Sequence, residues 1–150
     1  MAESSTQITA LNTLTATLID SVTGYRDAAE HVESSKFKEM FTKFADDRSQ
    51  CVDQLRQQVR ALGGEAEGDG SFMGKTHQRF MDLKSAITGR DDKAIINEVE
   101  RGEDYLKDKF ETILKSDVLS AESRSAVEQA YQSVRQGHDQ MSNLKHGMEA

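Results

Sequence analysis

Apolar residues recur at intervals of three and four along most of this chain, which is the pattern of one face of an amphipathic helix. The first such segment covers about residues 7–32. The second begins at a Ser34 or Ser35 cap and extends to Leu62, where a glycine pair ends it. We expect two long helices joined by the short turn at "ESSKF". Their inward stripes comprise Ile8, Leu11, Thr15, Leu18, Val22, Tyr25, Ala29 and Val32, then Phe37, Phe41, Phe44, Arg48, Cys51, Leu55 and Leu62.

Three more helical segments follow the loop-like stretch "GGEAEGDGS". A short helix is predicted over about residues 71–88 and ends at Gly89. A longer one begins at an Asp91 cap and extends to Lys115, and the last covers about residues 121–145. Their stripes comprise Met73, Thr76, Phe80, Leu83 and Ile87, then Ile95, Val99, Gly102, Leu106, Phe110 and Ile113, then Val127, Tyr131, Val134, His138 and Met141.

Four helices of about 25 residues, each about 37 Å long at a rise of about 1.5 Å per residue, can pack side by side with nearly complete overlap. The short segment can carry the chain back along the bundle, so that the helices before and after it run parallel. A hairpin, a long crossover and a second hairpin is the connectivity of ferritin-like bundles. We therefore predict an all-α, ferritin-like four-helix bundle with a short extra helix in its crossover. It forms one domain over residues 1–150, with frayed ends at 1–6 and 146–150.

Composition and charge agree with this fold and exclude several classes of function. The chain contains no proline, and it is rich in Ala, Leu, Glu, Lys and Gln, which favours helix. A net charge of -7 and a pI near 5.1 argue against a nucleic-acid or anionic-membrane surface. The start "MAESSTQITALNTL" lacks the parts of a signal peptide, and no run approaches the roughly 20 apolar residues of a membrane span. We expect a cytoplasmic protein that binds neither nucleic acid nor a membrane.

Several polar residues interrupt the apolar stripes near the middle of the predicted helices. Arg48 lies on its stripe, where an unpaired guanidinium would cost several kcal/mol, so we expect it to meet a carboxylate. Glu103 lies about 60° from the centre of its own stripe, and Gly102 beside it leaves room for a long side chain opposite. One interpretation is a structural ion pair of Arg48 and Glu103 with Asp20 or Asp47 nearby. The predicted interior polar cluster comprises Tyr25, Arg48, Glu98, Glu103, Tyr131 and His138.

The same acids support a second interpretation, in which a metal ion lies between the helices. The candidate ligands for iron or zinc are Glu98, Glu103 and His138, together with Tyr25 or Glu30, as in carboxylate-bridged di-metal bundles. A di-metal site of that kind needs Glu-x-x-His on each of two helices. The residues three positions before the four histidines are alanine, glycine, arginine and asparagine, so the motif is incomplete. This absence favours a protein that is not an enzyme.

Other reactive side chains give weaker signals. His77 lies on the flank of the short helix, where it can close the bundle, form a hydrogen bond across it or act as a ligand. Glu100 forms an i, i+3 acid pair with Glu103, which is typical of a solvated face. Cys51 has no histidine at an informative spacing and is predicted to be a buried structural thiol rather than a nucleophile. The chain contains no G-x-S-x-G elbow, P-loop or dinucleotide fingerprint.

Six segments in fixed order carry a family resemblance: "GYRDAAE", "FTKFADDRSQ", "VRALGGEAEGDGS", "THQRFMDLKSAITGRDDKAI", "ERGED" and "AYQSVRQGHDQM". Over about residues 8–144 the chain resembles a group of small, acidic, proteobacterial ferritin-like four-helix-bundle proteins of unknown function. The resemblance implies the bundle fold, a bacterial cytoplasmic setting and a looser kinship with ferritin-like proteins linked to stress responses. It implies no substrate. Positions that match the pattern of the family are Tyr25, Glu30, Arg48, His77, Glu98, Glu100, Gly102, Glu103, Tyr131 and His138.

Three functions remain open on these grounds. The first is a non-catalytic bundle that acts through protein association, with itself or with another protein, during a stress response. The second is a divergent metal-binding or redox bundle that uses the acids named above and His138. The third is the subunit of a storage cage. Leu14, Ile19 and Met40 lie beside the main stripes, and such apolar residues outside the core favour a homodimer.

Overall fold

The structure of the protein is a computed structural model that describes residues 4–66 and 92–149. Within these two ranges the chain forms four helices and no strand: α1 (Ser4–His31), α2 (Ser35–Ala61), α3 (Asp92–Lys115) and α4 (Ala121–Glu149). The short helix predicted over residues 71–88, which includes His77, lies outside the described residues. The four long helices are the ones that the sequence predicts. Two of their bounds differ by three or more residues: α1 begins at Ser4 rather than residue 7, and α4 continues to Glu149 rather than ending at residue 145.

The ends of α2 follow from local chemistry. The hydroxyl of Ser34 accepts a hydrogen bond from the amide of Phe37 at 3.4 Å, which satisfies one of the free amides of the first turn. At the other end Gly63 has φ 85°, a left-handed conformation that disfavours any residue with a Cβ. The amide of Gly64 then bonds to the carbonyl of Val59 at 3.0 Å, which completes a C-terminal cap.

Hydrogen bonds between helix ends fix the directions of the four helices. The amides of Glu33 and Ser34 donate to the carboxylate of Asp92 at 2.9 and 3.2 Å, so α3 begins beside the α1–α2 turn. At the opposite end the amide of Ser120 donates to Gln7 Oε1 at 2.8 Å, so α4 begins beside the start of α1. It follows that α2 and α3 run parallel, α4 runs parallel to α1, and each hairpin is antiparallel. This is the predicted connectivity.

The interior is divided along its length into two apolar clusters. One cluster lies toward the α3–α4 turn and includes Leu11, Leu18, Leu55, Phe110 and Val127; the other lies toward the α1–α2 turn and includes Phe41, Ile95, Ile96 and Met141. Leu14 belongs to the first cluster and is 0% exposed, so its predicted availability for a dimer contact is wrong. The reason is that α1 packs against both α2 and α3, which buries a wider arc than one stripe.

Candidate functional site

A polar layer separates the two apolar clusters, and each helix contributes one residue to it. On each helix this residue lies between the part that packs in the first apolar cluster and the part that packs in the second. The four residues are Ser21 of α1, Arg48 of α2, Glu103 of α3 and Gly137 of α4. We call these four residues the central layer. They occupy the middle of the bundle, where the sequence places Arg48 and Glu103.

Arg48 and Glu103 form a bidentate ion pair that is shielded from water. Arg48 Nη1 donates to Glu103 Oε1 at 2.6 Å and Nη2 donates to Oε2 at 2.5 Å, while Nη1 also donates to Ser21 Oγ at 2.7 Å. The two side chains are 0% and 2% exposed. Burial by itself lowers the pKa of Arg48, but the carboxylate of Glu103 outweighs it and raises that pKa above its ordinary value. The guanidinium therefore stays charged inside the core.

Space for this pair comes from Gly137 on α4. A Cβ placed on Gly137 would lie 2.9 Å from Glu103 Oε2 and closer still to Arg48 Nη2, so a side chain at this position would displace the pair. The role that the sequence predicts for Gly102 therefore belongs to Gly137, and Gly102 is partly exposed on α3. The sequence does contain a signal for Gly137. This glycine lies one turn after Val134 on an otherwise regular apolar stripe, where it costs about 1 kcal/mol of helix propensity.

Tyr25 borders the central layer on the side of the second apolar cluster. Its side chain is 2% exposed, and its ring lies 5.5 Å from the Arg48 guanidinium carbon, within the range of a cation–π contact. Burial, and then the negative charge of Glu103, raise the pKa of Tyr25 well above its ordinary value. Its hydroxyl and Arg48 Nε have no hydrogen-bond partner among the described residues. The phenol is therefore held neutral beside the ion pair.

Asp20 is a second buried carboxyl group, but it is not part of the ion pair. It lies on α1, it is 1% exposed, and neither of its oxygens has a hydrogen-bond partner in the described part of the chain. Burial raises the pKa of Asp20 to about 7. The sequence predicts Asp20 or Asp47 next to Arg48. Among the described residues neither is a hydrogen-bond or ion-pair partner of Arg48, and Asp47 is partly exposed. In place of either aspartate, the residue of α1 that bonds to Arg48 is Ser21.

Two other members of the predicted interior cluster lie toward the surface. Glu98 forms an ion pair with Arg101 of its own helix at 2.7 Å and is 26% exposed. It is five residues before Glu103, which at about 100° per residue places the two about 140° apart around α3. Tyr131 is partly buried and donates to Glu111 Oε2 at 2.5 Å. The predicted six-residue cluster is therefore not one group.

His138 follows Gly137 on α4 and belongs to a separate group between α3 and α4. His138 Nε2 lies 2.5 Å from Asp104 Oδ1, and His138 Nδ1 lies 3.2 Å from Asp139 Oδ1. Burial lowers the pKa of His138, but the hydrogen bonds to Asp104 and Asp139 outweigh it, so that the pKa is raised. Glu100, Asp104 and His138 each have one potential metal-binding atom here, and these three atoms lie within 4.8 Å of one another. We call these three residues the α3–α4 triad.

The metal ligands predicted from the sequence do not converge. Glu30 is exposed on α1, Glu98 pairs with Arg101, and both oxygens of Glu103 accept from Arg48. Of the predicted set only His138 belongs to the triad. The interior di-iron site that the fold implies needs several carboxylates facing one another, and the central layer instead pairs its one carboxylate with a guanidinium. The residues of the central layer therefore do not fit a di-iron centre.

Cys51 lies one turn after Arg48 on α2 and is buried. Burial raises the pKa of its thiol, which keeps it protonated and weakly nucleophilic at neutral pH. The geometry agrees with a structural thiol.

Among the four described helices, none is both long enough and apolar enough to span a membrane.

The four described helices and their directions define the class of the protein as a ferritin-like four-helix bundle, which confirms the predicted fold class. A crystal structure of a DPS protein from Vibrio cholerae O1, described as a member of a broad superfamily of ferritin-like diiron-carboxylate proteins, is similar with a TM-score of 0.66. The two share 17% sequence identity over 99% of this chain and 91% of that chain, so the likeness concerns the fold alone. Residues 6–116 match the family described as "Domain of unknown function (DUF2383)", and the chain belongs to that family. A search of curated proteins finds no match.

Proposed function

We propose that this protein is a non-catalytic, cytoplasmic bundle that acts through protein association in a stress response. The observation that carries the non-catalytic part is the central layer. Both oxygens of Glu103 are held by Arg48, and the pair is closed to solvent by the apolar clusters on either side of it. A carboxylate so engaged is not free to bind a metal ion or to accept a proton from a substrate. The stress-response part depends on the family resemblance alone.

The association part is supported by a groove between α2 and α4. The groove has a volume of about 330 Å³ and is lined by Met40, Gln140, Asn143, Leu144 and Gly147. Met40 and Leu144 pack against the second apolar cluster from outside and remain partly exposed. Apolar side chains rimmed by amide groups are typical of a surface that binds another protein. We propose that a second copy of the chain covers this groove.

A test of association is the mass of the purified protein in solution. We expect light scattering after size exclusion to give twice the chain mass of 16.7 kDa, and Leu144→Glu to shift the protein toward the single-chain mass because it places a charge in the groove. Ala121→Glu, which adds the same charge at an exposed position on the same helix, is the matched control and should leave the mass unchanged. A wild-type protein that stays at the single-chain mass up to about 100 μM, where a weak dimer would form, would contradict self-association.

The non-catalytic part is tested by iron oxidation, the reaction that a di-iron bundle would support. We expect the protein to leave the rate of Fe²⁺ oxidation in aerated buffer unchanged, because the central layer offers no second free carboxylate to hold a pair of iron ions. The absorbance of Fe³⁺ measures the rate, and heat-denatured protein at the same concentration is the control. A saturable acceleration by the folded protein would show that the proposal is wrong.

The alternative function, a divergent protein that binds iron or zinc, is favoured by one observation only. Within the described residues, the α3–α4 triad is the group whose ligand atoms converge, and it lies outside the bundle core. If this alternative holds, the metal is bound at the surface between α3 and α4 and not at the position of an interior di-iron centre.

A further inference from the structure

We infer that Glu100, Asp104 and His138 form a binding site for one divalent transition-metal ion, held between α3 and α4. This inference is independent of the proposed self-association, which concerns the groove between α2 and α4. It differs from the ligand set that the sequence suggested, since Glu100 and Asp104 replace Glu30, Glu98 and Glu103.

The two helices supply ligands at compatible positions. Glu100 and Asp104 are four residues apart on α3, so their side chains project from the same face of the helix. His138 reaches them from α4, and its Nε2 lies 2.5 Å from Asp104 Oδ1. The three ligand atoms lie within 4.8 Å of one another. Ligands of one such ion, each about 2.0–2.2 Å from it, are at most about 4 Å apart, so small side-chain rotations bring all three into range.

Asp139 places the imidazole in the orientation that a metal requires. Its carboxylate lies 3.2 Å from His138 Nδ1, where it accepts the proton of that nitrogen. In the metal-free protein Nε2 also carries a proton, which it donates to Asp104 Oδ1 at 2.5 Å. A bound metal ion displaces that proton to solvent and binds the lone pair that remains on Nε2. A carboxylate behind a metal-binding histidine is a recurrent arrangement that fixes the tautomer and makes the imidazole a better ligand.

The central layer gives the triad a rigid support. Asp104 follows Glu103 on α3, so this ligand is adjacent to a residue that the buried ion pair holds in place. His138 follows Gly137 on α4, which lies directly against that pair. Side chains mounted on helices with a fixed spacing lose less freedom when a metal binds. The ion pair therefore supports the α3 side of the site without touching the metal.

Charge and donor type define the ligand. Two carboxylates and one imidazole supply two negative charges and mixed oxygen and nitrogen donors, which suit Zn²⁺, Fe²⁺ and Co²⁺ better than Mg²⁺ or Ca²⁺. Asp104 is 53% exposed, so the site is open and the remaining coordination positions are accessible to water. Lys145 Nζ lies 3.6 Å from Glu100 Oε1, and this partly exposed ammonium competes with the metal for that carboxylate.

Titration with Co²⁺ tests this site, because the visible absorption of Co²⁺ reports its ligands. We expect one Co²⁺ per chain, displaced by Zn²⁺ and not by Mg²⁺. His138→Asn should weaken binding by about 10- to 100-fold, and Asp139→Asn by about tenfold through the orientation of the imidazole. Lys145→Met should strengthen binding, since it removes the competing charge.

The matched control is His31→Asn, which removes an exposed histidine of α1 whose Nδ1 lies 2.8 Å from the Asp27 carbonyl. Circular dichroism establishes that each variant is folded before it is titrated. If wild-type protein binds no Co²⁺, or if His138→Asn binds it as tightly as His31→Asn, the site does not exist. Neither result bears on the dimer, which is measured by mass without added metal.

Discussion

Replacement of Arg48 by leucine is expected to lower the free energy of unfolding by about 3–5 kcal/mol, because it leaves the carboxylate of Glu103 buried without its partner. Glu103→Leu should have a similar effect, since it strands the guanidinium. The double variant should be more stable than either single variant, because two leucines replace two charges that each pay a large desolvation cost. Urea denaturation of the four proteins measures the coupling.

A surface ion pair supplies the control for this cycle. Arg101 and Glu98 form a pair at 2.7 Å on α3 with side chains that are 50% and 26% exposed, and Arg101→Leu should change the unfolding free energy by no more than about 1 kcal/mol. If the effects of Arg48→Leu and Glu103→Leu simply add, the two side chains do not act as a buried pair. Cys51 and Tyr25, which adjoin Arg48, keep their natural side chains in all of these variants.

Asp20→Asn is expected to stabilise the protein at alkaline pH by about 4 kcal/mol. Burial without a partner raises the pKa of Asp20 from 3.8 to about 7, so the folded state holds a proton that the unfolded state releases. Stability from this group is therefore full below about pH 4 and decreases as the pH rises to about 7, at about 1.4 kcal/mol per unit. Asparagine has the same shape and no charge, so the variant should lose this part of the pH dependence.

Urea denaturation at pH 4.5 and pH 8 measures the effect of Asp20→Asn. The gain should be present at pH 8 and small at pH 4.5, where the wild-type carboxyl is already neutral. Asp53→Asn is the control, because Asp53 is 72% exposed in a surface pair with Arg56. The titration of His138 is shared by all three proteins and cancels in the comparison. An equal effect of Asp20→Asn at both pH values would mean that burial does not raise the pKa of Asp20.

The sequence predicts the helices well because each carries its own periodic stripe and end signals. Ser34 caps α2 and Gly63 ends it for reasons that are local to a few residues. The spacing of the long helices also predicts the parallel arrangement of α2 and α3, since a crossover is needed only in that topology. The meeting of Arg48 and Glu103 was predictable because a guanidinium on a buried stripe needs a carboxylate at the same depth.

The sequence fails where the answer depends on the rotation of one helix against another. Periodicity places Glu98 and Tyr131 near their stripes, but it does not show whether those positions face the interior or a neighbour at the surface. In the structure Glu98 pairs with Arg101 of its own helix, and Tyr131 donates to Glu111 of α3. The sequence treats Leu14 as lying outside the core, because it does not show that α1 contacts two helices. It offers Asp20 as a neighbour of Arg48, whereas the structure shows no hydrogen-bond partner for Asp20 among the described residues.

What the sequence determined by itself is therefore the set of helices, their order and the depth of the charged residues, since these follow from local periodicity and chain length. The tertiary structure decided which residues share a site. Gly137 admits the Arg48–Glu103 pair, and the packing of α4 against α3 places His138 beside Asp104 rather than Glu103. The physical reason is that a site between helices depends on their relative rotation, which is set by packing across all four of them and is encoded in no single stretch of the chain.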